Sequence, residues 1–286
     1  MFNIDRSTEF VRTLTAEHWI CLAGLIVLAY WLLKTSLGAK ALADSMPRRN
    51  NMPVYLPLIP LFIWFGPVPM VVLVARAMTQ DRLSDWQTAF LQNCVFIVGG
   101  AATTAVILLL ARAHFARRLR GFGLDIRTVA ADFLCALVNL LAVWPLIMAA
   151  IVVTMLLGQS IWGQEYQMQQ HQELELIAEN PELPLRITIV VVAVIMAPLL
   201  EELLFRGLVQ TAIRSFFVGG NGAWLAIAAS SGLFALMHAN AGHWPALFVL
   251  SVGLGYTYEK SGSLFRPIFI HSFFNTASIA AALSQS

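Results

Sequence analysis

The stretch ITIVVVAVIMAPLLEELLFRG, residues 187–207, is free of charge from Ile187 to Leu200 and then places Glu201, Glu202 and Arg206 in close succession. An uncharged run of this kind is the mark of a helix in lipid, where each ionisable side chain costs a few kcal/mol. Three such groups at the end of the run require compensation from elsewhere in the chain. On a helix Glu202 and Arg206 are i and i+4, with the acid N-terminal, the favourable order for pairing. Glu201, rotated by about 100°, is left without a partner in its own helix.

Outward from this segment the whole chain is apolar. Of 286 residues, 58% are hydrophobic and only 12% charged, and the mean hydropathy is +0.72; a soluble domain is about one quarter charged. The composition points to an all-α, polytopic membrane protein, and excludes nucleic acid as a partner class. The length accommodates about eight spans of roughly 20 residues. Apolar runs predict helices over 18–36, 54–76, 88–111, 129–157, 186–206, 223–238, 245–258 and 265–283, the fifth continuing as an amphipathic extension towards Phe217. Pro53, Pro57, Pro60, Pro67 and Pro69 predict a kinked or broken second segment. Residues 1–18 are polar and lack the basic start and prompt apolar stretch of a cleaved signal peptide, so the first span is expected to be retained. Cys21, Cys94 and Cys135 lie in apolar stretches at no metal-ligand spacing and read as buried thiols.

The connections alternate in charge. Lys34, Lys40, Arg48 and Arg49 follow the first span, and Arg112, Arg117, Arg118, Arg120 and Arg127 follow the third. Residues 159–185 carry five glutamates and neither lysine nor arginine. The positive-inside rule puts the basic loops, with Arg214, Lys260 and Arg266, on the cytoplasmic side, and the acidic loop and both termini outside. The segment RRLRGFGLDIRT, 117–128, reads as a solvated loop or as a basic element on the inner leaflet. The expected organisation is a four-helix N-terminal region (1–158), an acidic loop able to hold a short surface helix (159–185), and a C-terminal membrane domain (186–286).

That last domain holds nearly all the intramembrane polar groups. FALMH puts Phe234 and His238 on one helix face, and HSFFN does the same for His271 and Asn275. Gly219, Gly220, Asn221 and Gly222 signal a turn. Folding the chain back there as a hairpin sets Glu201 and His238 each about 27 Å from the turn at a helical rise of about 1.5 Å per residue. The same reckoning leaves His271 less deep. Ser251 and Gly255 form a small-xxx-small pair for close helix packing, and Gly253 adds a notch.

A carboxylate and a neutral imidazole about one water can activate it by general-base catalysis; a second histidine with an amide can stabilise an oxyanion. Together they would hydrolyse an amide or ester within the membrane. Glu201, His238 and His271 could instead hold zinc with an open position for water, although Asn275 is a poor zinc ligand. No G-x-S-x-G or H-E-x-x-H occurs.

The ordered set EELLFR, FALMH and HSFFN resembles the CPBP intramembrane proteases, which include the type II CAAX prenyl endopeptidases and Abi-type bacteriocin-immunity proteins. The resemblance covers roughly residues 185–283. It implies that Glu201 and His238 activate water, that His271 and Asn275 stabilise the oxyanion, and that Glu202 and Arg206 support them. It also implies a membrane-anchored or lipidated peptide substrate, a multi-pass location in the cytoplasmic membrane if the source is bacterial, and either a glutamic or a metallo-type mechanism, with no cofactor required in the first. A site opening towards the cytoplasm fits the family's processing role. Ser251 stands where members often have glycine, and no consequence is expected from it. The alternatives are a non-enzymatic scaffold or immunity-type protein and, less well suited to polar groups crowded into one half, a transporter.

Overall fold

The computed structural model describes residues 15–79, 82–169, 172–217 and 219–285; the residues before the first span, whose retention the sequence predicts, lie outside that set up to position 14. The fold is all-helical. In chain order the main elements are α1 (Ala16–Lys34), α2 (Leu58–Phe65), α3 (Pro67–Thr79), α4 (Asp85–His114), α5 (Val129–Trp162), α6 (Gln172–Glu179), α7 (Leu183–Arg214), α8 (Gly219–Leu236), α9 (Trp244–Ser261) and α10 (Phe265–Gln285).

Among the described residues, five segments are long and apolar enough to cross a membrane: α1, 58–79, α4, 126–162 and α7. The sequence expectation of about eight also counted α8, α9 and α10. These are helical where expected but fall outside that set, because all three carry polar or glycine-rich stretches that lower their hydropathy. The broken second segment is present: α2 stops at Gly66, whose backbone leaves the helical region, and α3 restarts with Pro67 in its first turn.

The two basic loops meet at one end of the molecule. Asn50 bridges to Phe115, Ala116 N donates to Arg49 O, and Leu264 N donates to Gly123 O. Arg214 Nη2 reaches Ser45 O at 3.0 Å and Lys260 Nζ reaches Ala41 O at 2.8 Å, so these later basic residues are at that end too. The acidic loop lies at the other end and holds the short helix α6, which buries Ile177 against Ala89, Leu185, Ile189 and Ile279.

α7 is the axis of the C-terminal half, packing against α4, α8, α9 and α10. It runs unbroken to Arg214, but two stretches are π-helical, Val191–Met196 and Glu202–Gln210. The first has a covalent cause. Ala197 N donates to Val192 O, five residues back. The next donor in that series would be residue 198, and Pro198 has no N–H, so the carbonyl of Ala193 loses its helical partner. Wide turns of this kind recur at functional sites. The second stretch is buried at every position, and Gly207 is tight against Phe122: an added Cβ would lie 2.2 Å from Phe122 Cζ.

α7 and α9 run parallel with a polar seam between them. Arg206 faces Ser251, Gln210 faces Gly255 and Arg214 faces Glu259, one pair per turn. Gly255 makes room for this, since a Cβ there would come within 2.7 Å of Gln210 Oε1.

Candidate active site

Glu202 is fully buried, and one of its carboxylate oxygens carries two bonds. Arg206 Nη1 donates to Oε1 at 2.8 Å, the pairing expected from the i, i+4 spacing, and His271 Nδ1 lies 2.9 Å from the same oxygen. Oε2 is buried with no hydrogen-bond partner among the described residues. Arg206 is held in turn by Ser251, whose hydroxyl and carbonyl accept from Nη2 at 2.7 and 3.2 Å. Ser251 is thus more than the small packing residue expected from sequence: it ties the guanidinium to α9.

Glu201 keeps part of its side chain open, at 19% exposure, and its Oε2 is 3.8 Å from His271 Nε2. The hairpin estimate had left His271 less deep than Glu201. The ion-pair distances overturn that estimate: α10 packs beside α7 so that His271 meets both glutamates.

α8 ends at Leu236, two residues earlier than the run to 238 predicts, and His238 sits in the turn that follows. The i, i+4 relation to Phe234 survives this change, because His238 N closes a tight bond to Ala235 O and His238 Nδ1 is 2.8 Å from the Phe234 carbonyl. Donation from Nδ1 makes Nε2 the lone-pair nitrogen of the neutral ring. Trp244 Nε1 donates to His238 O at 2.9 Å and fixes the turn from the α9 side.

Phe234 joins these parts. Its ring centroid is 4.8 Å from His238, 5.9 Å from His271 and 4.8 Å from the Arg206 guanidinium carbon. Sequence reading placed Phe234 only on the face of His238; its buried position among three polar groups follows from α7, α8 and α10 converging.

Asn275 donates from Nδ2 to Ala193 O at 2.7 Å. That is the carbonyl left without a helical donor by Pro198. One amide hydrogen of Asn275 therefore repairs the first π-helical stretch of α7, a role that spacing alone does not reveal.

For metal binding, no group of three or more His, Cys, Asp or Glu side chains able to hold an ion is found among the described residues. Of the three candidate ligands, His271 binds Glu202 through Nδ1 and His238 binds a backbone carbonyl, and with Glu201 they do not assemble into a ligand set.

Residues 183–277 match the family model described as Rce1-like, type II CAAX prenyl endopeptidase Rce1-like. The C-terminal region belongs to this family. The matched span takes in α7 to α10 as far as residue 277 and includes every residue of the cluster above. The match supports a CAAX-type intramembrane protease in general for this region, and the apolar helices make the chain an integral, multi-pass membrane protein. No curated protein and no solved structure matches the chain. The polar groups that looked out of place in a hydrophobic helix lie together in the interior of the matched region.

Proposed function

We propose that the protein is an intramembrane endopeptidase that cleaves a peptide bond of a membrane-anchored or lipidated protein with a water activated by Glu201 and His238. The observation that carries this reading is the different engagement of the two glutamates. Glu202 is bound by Arg206 and His271, whereas Glu201 is partly open beside His271. A carboxylate already neutralised by an arginine is a poor base; its neighbour is the one able to take a proton.

In this reading the water donates to Glu201 and to His238 Nε2, the lone-pair nitrogen of the neutral ring. Glu201 takes the proton as the water oxygen adds to the scissile carbonyl. The oxyanion of the tetrahedral intermediate is received by His271 Nε2–H and by the second amide hydrogen of Asn275. Collapse of the intermediate returns the proton from Glu201 to the leaving amine. No cofactor takes part. Donors of this kind, fixed before reaction in a site away from water, contribute roughly 10²–10³-fold each.

The test is hydrolysis of fluorogenic membrane peptides, prenylated and unmodified, by purified protein, with Glu201→Gln and a chelator arm in parallel. Cleavage lost in the variant and kept under chelation supports the metal-free mechanism. Cleavage lost under chelation and restored by zinc replaces it with a metal mechanism. Absence of cleavage by the wild type on every peptide overturns the reading.

A further inference from the structure

The basic end of the molecule carries a hollow of about 530 Å³ lined by Arg112, Arg117, Arg118, Leu119 and Arg120. Four guanidinium groups and no carboxylate line it. Elsewhere in the fold arginines serve as ties: Arg48 binds Tyr258 O, Arg206 binds Glu202, Arg214 binds Glu259 and Arg266 binds Asp132. The side chains of the four around the hollow make no such bond among the described residues, and all four residues are exposed.

The loop that presents them is nevertheless fixed. Phe122 is fully buried, with its ring 4.9 Å from that of Phe115. Its carbonyl accepts from Tyr258 OH at 3.0 Å, and the Gly121 carbonyl accepts from Arg48 Nη1 at 3.4 Å. Arg117 and Arg118 have φ of 66° and 56°, a region that side chains rarely adopt. Such strain persists only where the surroundings over-determine it, and it concentrates at ligand clamps.

Position gives the ligand class. Arg112 is in the last turn of α4, a 30-residue span, so the hollow lies level with lipid headgroups. The positive-inside rule puts it on the cytoplasmic leaflet, the one rich in anionic lipid. Guanidinium forks match phosphate oxygens two at a time. Ile126, at the start of the next span, is 80% exposed and adds apolar surface at the same interface. We propose that this arginine-lined hollow binds the phosphodiester headgroup of an anionic phospholipid and so fastens the loop 112–127 to the inner membrane surface. This goes beyond the plainer sequence reading of a solvated charge run and does not depend on the catalytic assignment.

The experiment is native mass spectrometry of the full chain in detergent, titrated with phosphatidylglycerol or phosphatidylcholine. A triple variant, Arg117→Gln/Arg118→Gln/Arg120→Gln, and a control pair elsewhere on the surface, Arg76→Gln/Arg82→Gln, run beside the wild type. Each basic group near a membrane surface contributes about a fivefold factor, so the triple variant is expected to bind phosphatidylglycerol roughly a hundredfold more weakly. The control and the weak phosphatidylcholine binding should not change. A thermal shift from phosphatidylglycerol, present in the wild type and lost in the triple variant, would support the same site. Equal phosphatidylglycerol binding by the wild type and the triple variant overturns the proposal. So does a wild type stabilised by inorganic phosphate but not by the lipid, which would make the hollow a free-anion site.

Discussion

His271 Nδ1 and Glu202 Oε1 are 2.9 Å apart, and the same oxygen accepts from Arg206 Nη1. One atom thus joins the last helix to α7 and neutralises the arginine, which Ser251 holds from α9. Glu202 is committed to the architecture, and Glu201 is not. The two adjacent glutamates therefore have separable consequences on substitution.

Glu202→Gln removes the counter-ion of a guanidinium that is 1% exposed. Leaving a buried charge without its partner costs about 3–5 kcal/mol. Glu201→Gln removes a partly open carboxylate that approaches His271 at 3.8 Å, and its effect on stability should stay within about 1 kcal/mol. Thermal unfolding in detergent should show a large drop for the first variant and a small one for the second, while both lose proteolysis. Equal melting temperatures would contradict this division of roles.

Ser251→Ala deletes the hydroxyl that accepts from Arg206 Nη2 at 2.7 Å and leaves the weaker bond to the carbonyl at 3.2 Å. A hydrogen bond to a charged group contributes about 1.5–3 kcal/mol, and Ser251→Gly should cost at least as much. The readout is the melting temperature together with kcat/KM on a cleaved peptide. If Ser251 serves only for close packing, the alanine variant will match the wild type in both.

Asn275→Ala leaves the Ala193 carbonyl without a donor at a place where Pro198 has already removed the helical one. The site is partly buried, so the cost of the unsatisfied acceptor should lie towards the lower end of about 1–3 kcal/mol. Asn275→Asp should be worse, because an ionised carboxylate would face that carbonyl with no hydrogen to give. Urea or thermal unfolding measures both. A variant that lost activity with its stability intact would leave Asn275 only the oxyanion role.

Much of this was legible because charge in lipid is scarce. Glu202 and Arg206 could be paired from spacing alone, and the alternating loop charges foretold which loops meet at one end. The hidden parts depend on backbone geometry. The π-helical turns of α7 leave no periodic trace in residues 187–207, so nothing announced that Pro198 would strand the Ala193 carbonyl or that Asn275 would reach it. Ser251 looked like packing because hydroxyl and glycine are equally small; only the parallel register of α7 and α9 turns it towards Arg206. Three of the eight expected spans are less apolar than the rest for a related reason. The polar groups His271 and Asn275 of α10 and the glycines of α8 and α9 take those helices below the hydropathy of an ordinary span.

Asp132 and Arg266 tie α5 to α10 at the basic end, with Nη2 and Oδ1 2.9 Å apart, and their burial is unequal. The Asp132 side chain is 2% exposed and its Oδ2 has no partner among the described residues, whereas that of Arg266 is 22% exposed. Removing either partner breaks the same contact but strands a different charge. After Asp132→Ala, the arginine can turn to water and headgroups, so the loss should be only about 1–2 kcal/mol. After Arg266→Ala, a carboxylate remains in the interior with nothing opposite, and the loss should approach about 3–5 kcal/mol. The double variant should be more stable than Arg266→Ala alone, because it removes the stranded charge. Melting temperatures of the three variants test this order, and a double variant less stable than both singles would mean that the pair is not what joins the two helices.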